Sequence, residues 1–161
     1  LTPPAPCPHI HRNSRCWRHE KVEYVVGDLT KKEDVIKACE GADCVYHIAA
    51  AVGPFHPADL YERVNYHGTL HVIEACRMHK VPKIVMSSSP STRFTGEDVD
   101  GLTEDQMPQL PLQSYMQAYA ETKAMGELAM TAACSPSLMT VAVAPHQVCV
   151  RACVRAWVCG W

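Results

Sequence analysis

No glycine-rich turn occurs in this 161-residue chain: its eight glycines stand at Gly27, Gly41, Gly53, Gly68, Gly96, Gly101, Gly126 and Gly160, and no spacing among them makes a phosphate cradle. The usual way of seating a pyrophosphate on backbone amides at a helix N-terminus is therefore missing from these residues. An excess of either charge is also lacking. A formal net charge of -2 gives no electrostatic case for a nucleic-acid partner. No uninterrupted apolar run approaches the roughly 20 residues of a membrane span, and Arg151 and Arg155 break the best C-terminal stretch. The proline-rich opening lacks the apolar centre of a signal peptide, so the chain is expected to be soluble. Nine cysteines, an odd number without a secretory signal, argue against a disulfide framework. Cys7, His9, His11, Cys16 and His19 cluster, but their spacing matches no regular zinc pattern, and no metal site is assigned. Cys39, Cys44 and Cys76 fall in core-forming segments and read as buried thiols.

What the chain does contain is an alternation of strand-like and helix-like segments. Residues 22–26 are β-branched and aromatic and run into Gly27-Asp28-Leu29-Thr30, and a polar helical stretch follows over residues 31–40. Residues 44–51 read as a buried strand opening into a small-residue loop. Residues 59–79 carry apolar positions at helical spacing, residues 83–86 form another strand, residues 114–133 another helix, and residues 138–144 a strand stopped by Pro145. Residues 92–112 are rich in polar and turn residues, as a substrate entrance would be. Strands alternating with helices predict an α/β fold, a doubly wound parallel sheet with helices on both faces. Ligands bind such sheets beyond the carboxyl ends of the strands, where Asp28, Ala49, Ala50, Ser89 and Pro145 all lie.

Tyr119 and Lys123 enclose the run Tyr119-Ala120-Glu121-Thr122-Lys123, about thirty residues after Ser87-Ser88-Ser89. Residues four apart share a helix face, so phenol and ammonium can meet over one substrate atom. A phenol is a poor base at neutral pH unless a nearby cation favours the phenolate. A tyrosine so paired can take the proton of an alcohol while hydride leaves the same carbon for a nicotinamide. A serine hydroxyl can hold the oxygen on which charge develops. A tyrosine four residues before a lysine also arises by chance in many helices, so the weight rests on the order of the surrounding segments.

With Gly27-Asp28-Leu29-Thr30, Val45-Tyr46-His47-Ile48-Ala49-Ala50, Val64-Asn65-Tyr66-His67-Gly68-Thr69, the serines, the Tyr/Lys pair and Pro145-His146-Gln147-Val148 in this order, residues 22–148 resemble the extended short-chain dehydrogenase/reductase family. Within it, Ser89-Pro90-Ser91-Thr92-Arg93-Phe94 and Gly53-Pro54-Phe55 lean towards the 3β-hydroxysteroid and sterol 4-carboxylate 3-dehydrogenase branch rather than the sugar-nucleotide epimerases. The resemblance implies an incomplete Rossmann-like domain, NAD or NADP as cofactor and a steroid or sterol alcohol as small-molecule substrate. It implies catalytic roles for Ser89, Tyr119, Lys123 and Asn65. Asp28 would meet the adenine, Leu29 would pack beside it, Ala49 and Ala50 would admit the cofactor closely, and Pro145 and Val148 would flank the nicotinamide. Tyr119 and Lys123 would also touch the cofactor. A sugar-nucleotide epimerase, a carbonyl reductase and a noncatalytic binding protein on the same scaffold stay open as alternatives. For the full-length family the resemblance implies a cytoplasmic or endoplasmic-reticulum-associated protein.

The chain departs from the family at both ends. The glycine-rich strand-turn-helix is missing, and after Val148 the residues Cys149-Val150-Arg151-Ala152-Cys153 replace a Tyr-Gly-Pro type turn and a substrate lobe. The expectation is therefore an irregular segment over residues 1–20, a partial dinucleotide-binding domain over 21–148 and an unrelated tail over 149–161. Weak cofactor binding and little turnover follow from the same departure. The doubly wound order 3-2-1-4-5-6 leaves a gap beside the strand at residues 22–26. That strand should either pair directly with the one at residues 44–51 or be poorly held, and neither the NAD/NADP choice nor the oligomeric state is written in the chain.

Overall fold

A computed structural model of the protein describes residues 7–10, 22–53, 55–97 and 100–145. Their order is β1 (Cys7–Ile10), β2 (Val22–Val25), α1 (Lys32–Cys39), β3 (Val45–His47), α2 (Ala58–Tyr61), a π-helical turn (Glu62–His67), α3 (Gly68–Met78), β4 (Lys83–Ser87), a 3-10 turn (Pro90–Arg93), α4 (Ala118–Ala133) and β5 (Met139–Val143). All strand pairings are parallel, as the alternation predicts. The sheet is divided. β3, β4 and β5 form one sheet in that order, and β1 and β2 form another.

Two expectations about the N-terminal half are corrected here. Cys7–Ile10, expected within an irregular segment, is a strand, and β2 pairs with it in the register Cys7↔Val22 to Ile10↔Val25. β2 therefore neither joins the strand of residues 44–51 nor lacks a partner. A strand's backbone donors and acceptors need a ladder, and β1 supplies one that its own proline-containing sequence did not advertise.

The three-stranded sheet has two unlike faces. Register partners in a parallel pair point the same way, so Val45, Ile84 and Thr140 share one face with His47, Met86 and Ala142. That face is buried: Ile84 and Met86 join Val35 and Cys39 of α1, Val72, Ile73 and Cys76 of α3 and Met130 of α4 in a single core cluster. Each large apolar side chain so enclosed stabilises the fold by roughly 1.5–3 kcal/mol. The opposite face carries Tyr46, Met139, Val141 and Val143, all about half exposed or more. Among the described residues α1, α3 and α4 all contribute to the cluster on the buried face.

Helix boundaries follow local chemistry. α1 starts after a turn in which Lys31 N–H donates to the Asp28 carbonyl and the Asp34 carboxylate accepts from Asp28 N–H, both at 2.9 Å. Glu33 and Asp34 in its first turn complement the helix dipole. The expected helix over 59–79 is present but opens in the middle, where Gly68 N–H donates to the Arg63 carbonyl five residues back. α4 begins at Ala118 rather than at residue 114, because Gln117 is extended (φ -148°, ψ 145°) and Leu112 N–H is held by the Tyr115 hydroxyl at 3.0 Å. Two glycines allow close crossings. A Cβ on Gly68 would lie 2.6 Å from Leu29 Cγ, and one on Gly126 would lie 2.8 Å from the Asn65 carbonyl oxygen, so α4 seats directly on the π-helical turn.

Candidate functional site

The carboxyl end of β4 delivers the serines to the flank of α4. Ile84 and Met86 anchor the strand in the core, and Ser88 N–H continues the ladder to the Val143 carbonyl at 2.7 Å. The three serines then diverge. Ser87 offers its carbonyl, Ser88 turns its hydroxyl to the Glu127 carboxylate at 2.5 Å, and Ser89 caps the 3-10 turn. Ser89 Oγ accepts from Ser91 N–H at 3.3 Å and lies 2.8 Å from Ser91 Oγ.

Lys123 is the largest fully buried side chain among the described residues, 2 % exposed. Its ammonium donates to the Ser87 carbonyl at 2.6 Å. Burial pushes its pKa down to about 8, against the opposing pull of Glu127 one helical turn further on. Tyr119, one turn earlier on the same helix, packs in a second apolar cluster with Ala51, Tyr61 and Val64, its ring meeting Tyr61 edge-on at 6.2 Å between centroids.

Asn65 sits in the π-helical turn, 1 % exposed. Its Oδ1 accepts from Ala51 N–H at 2.8 Å, and its Nδ2 donates to the Ala51 carbonyl at 3.2 Å and to Thr122 Oγ1 at 3.3 Å. One amide therefore ties the loop after β3 to α4 at a residue between Tyr119 and Lys123 in the motif. This clamp lands on Ala51; of the two alanines singled out from the sequence, Ala50 is buried and Ala49 is exposed beside it.

Asp28 and Leu29 leave β2 in a separate corner. The Asp28 carboxylate accepts from Thr30 N–H at 2.9 Å and from the Thr30 hydroxyl at 2.8 Å. The Leu29 side chain packs against Gly68, and its carbonyl lies 3.0 Å from His71 Nδ1. Pro145 is exposed just beyond β5, and Val148 lies outside the described residues.

Three residues that sequence reasoning did not single out complete the serine corner. Glu127 is 6 % exposed, and Arg93 grips it in a fork, Nη2 to Oε1 at 2.5 Å and Nη1 to Oε2 at 3.2 Å. Burial alone would raise the Glu127 pKa, but Arg93 and Ser88 hold it below the usual carboxylate range. Thr92, fully buried, donates to the Ser89 carbonyl at 2.8 Å. Glu127 had one available signal, its place four residues after Lys123 on the same helix face. Arg93 had none beyond following the serines.

Outside this corner, Phe94, Leu112, Tyr115 and Met116 line an open cleft of about 520 Å³ in the loop before α4, within the stretch expected to admit substrate. His47 is buried and within 2.8 Å of Thr69 Oγ1; burial, with Lys123 nearby, lowers its pKa to about 3, so it is a neutral core group. The Cys, His cluster of residues 7–19 lies outside the side chains described. Among the described residues no helix is long and apolar enough to cross a membrane.

The donor set answers unevenly to a dinucleotide. Ala49 and Ala50 just after β3 are small, and the Lys123 ammonium lies at the end of β4 beside the Ser87 carbonyl. The pyrophosphate half finds no glycine-rich cradle anywhere in the sequence.

Comparison with known proteins gives this geometry its family. The chain is 35% identical over 128 residues to the human sterol-4-alpha-carboxylate 3-dehydrogenase, decarboxylating, covering 78% of this chain and 34% of that protein. It is 38% identical over 133 residues to a 2-alkyl-3-oxoalkanoate reductase of Shewanella oneidensis, covering 78% and 33%. Among solved structures, the UDP-glucose 4-epimerase of Thermus thermophilus in complex with NAD superposes with a TM-score of 0.65 at 27% identity, over 79% of this chain and 42% of that one. The chain thus spans about a third of the length of the curated relatives it matches, and its parallel α/β architecture is Rossmann-like. The model of the 3-beta hydroxysteroid dehydrogenase/isomerase family matches residues 10–154, wider at both ends than the motifs alone mark out. On that match and these identities, the chain belongs to the 3-beta hydroxysteroid dehydrogenase/isomerase family, a family of oxidoreductases.

Proposed function

We propose that this chain carries the proton-transfer corner of a nicotinamide-dependent oxidoreductase that oxidises a secondary alcohol of the hydroxysteroid or sterol class to a ketone. The observation that carries the reading is Lys123: a buried ammonium on the helix face of Tyr119, fixed to the end of the serine strand. A charge is kept in the interior at a cost, and such groups concentrate at functional sites. Tyr119 takes the hydroxyl proton of the alcohol, and the Lys123 charge favours the phenolate that doing so requires. Ser89 donates a hydrogen bond to the same oxygen. Asn65 holds α4 and the loop after β3 in one arrangement. NAD or NADP, when bound, accepts the hydride. Asp28 meets its adenine with Leu29 beside it, Ala49 and Ala50 admit it closely, Tyr119 and Lys123 adjoin it, and Pro145 and Val148 flank the nicotinamide.

The test is oxidation of a panel of 3β-hydroxysteroids with NAD and NADP, followed by absorbance of the reduced nicotinamide. A slow rate lost in Tyr119→Phe supports the assignment, while an unchanged rate in that variant refutes it. A second reading, a carbonyl reductase or sugar-nucleotide epimerase, draws support from the Shewanella reductase and the Thermus epimerase. Turnover of a 3-oxo acid or a UDP-sugar in preference to the steroids would favour it.

A further inference from the structure

We infer that Arg93 and Glu127 are positioning residues that clamp the serine-bearing turn onto α4, so that the place of Ser89 relative to Tyr119 is set by an ion pair that includes neither. The inference rests on the catalytic reading of Ser89 and Tyr119 given above. α4 grips the serine run at two successive residues. Lys123 holds the Ser87 carbonyl at 2.6 Å, and Glu127, one turn on, holds the Ser88 hydroxyl at 2.5 Å. Arg93 closes the far side of the turn. While its fork occupies both Glu127 oxygens, its Nη1 also donates to Thr92 Oγ1 at 3.1 Å, and Thr92 Oγ1 donates to the Ser89 carbonyl at 2.8 Å.

Ser89 is thereby bracketed, by Ser88 before it and by Thr92 and Arg93 after it, with every link ending on one carboxylate of α4. Its own hydroxyl makes no bond to that carboxylate and stays with Ser91 at the turn. The three serines divide the work: one lends a carbonyl, one a hydroxyl for anchoring, and one keeps its hydroxyl clear of the anchor. A planar guanidinium suits this task because two parallel bonds fix direction as well as distance, which a single ammonium cannot do. The side chains are 27% and 8% exposed, so little water competes for the pair.

The test compares the parent chain with Arg93→Met, Arg93→Lys and Glu127→Gln in two measurements. Amide hydrogen exchange reads the clamp directly. Opening of the turn should speed exchange over residues 87–93 by about tenfold or more in Arg93→Met, while α1 exchanges as in the parent. Arg93→Lys, the milder change, should give a smaller effect of the same sign, and it serves if Arg93→Met does not fold. Steroid oxidation reads the positioning: kcat should fall by up to about a hundredfold with the KM for cofactor unchanged, the signature of reacting groups displaced but not removed. Exchange over residues 87–93 that stays at the parent rate in all three variants overturns the clamp. Faster exchange with an unaltered kcat leaves a structural brace and overturns the positioning role. A parent chain without turnover counts against the catalytic reading, and the clamp is then decided by exchange alone.

Discussion

Two corners at the strand ends are built by opposite means. At the exit of β2, Asp28 bonds to Thr30 and Asp34, partners two and six residues away, and the ion pair nearby, Lys32 with Glu74 at 2.5 Å, has side chains 41% and 49% exposed. At the exit of β4, the partners Ser87, Ser88 and Arg93 meet Lys123 and Glu127 across 34 to 39 residues of chain, with most of the charge enclosed. The bonds of Asp28 in the first corner can form as soon as its turn forms. The second exists only when β4 and α4 are already packed, so its geometry reports on the whole core. The same ion-pair distance of 2.5 Å in both corners therefore stands for very different energies.

The comparison is most directly broken at Glu127. Glu127→Ala leaves Arg93 and Ser88 facing an empty site and should cost about 3–5 kcal/mol, read as a shift of the urea midpoint; a loss below about 1 kcal/mol would place both corners in one class. Asn65→Leu strands the N–H and C=O of Ala51 in the interior, for about 2–4 kcal/mol in the same measurement.

Lys123 sharpens the contrast through pH. Its folded pKa of about 8 lies below the ordinary lysine value of 10.5, so the unfolded chain binds the proton more tightly. Stability should then rise as pH goes from about 8 to about 10, by up to about 3 kcal/mol, and the rise should vanish in Lys123→Met. Activity that needs the ammonium should fall over the same interval. The smallest effects belong to the β2 corner. Asp28→Ala should cost about 1 kcal/mol through loss of its turn bonds, and Lys32→Ala about 0.5 kcal/mol or less, vanishing in high salt.

What was legible in the sequence follows the same division. The β2 turn, the serine run, the Tyr119 and Lys123 pair and the strand at residues 138–144 are local patterns, and the structure places each within its expected element. The Arg93 fork was hidden because nothing local to Arg93 distinguishes it from any solvated arginine; only the fold brings Glu127 to it. The start of α4 was misplaced by four residues, since the apolar pattern of residues 114–117 continues the helix while Gln117 turns extended. β1 went unseen for a related reason: four residues become a strand only beside a partner. Of the candidate site, the Tyr/Lys motif and the serine run are readable as local patterns, whereas the long-range bonds around them are not.

Because a single carboxamide at Asn65 satisfies both backbone groups of Ala51 and reaches Thr122 as well, the loop after β3 cannot drift independently of α4. A displacement of either segment therefore has to carry the other with it or break a buried amide contact, so the two behave as one unit.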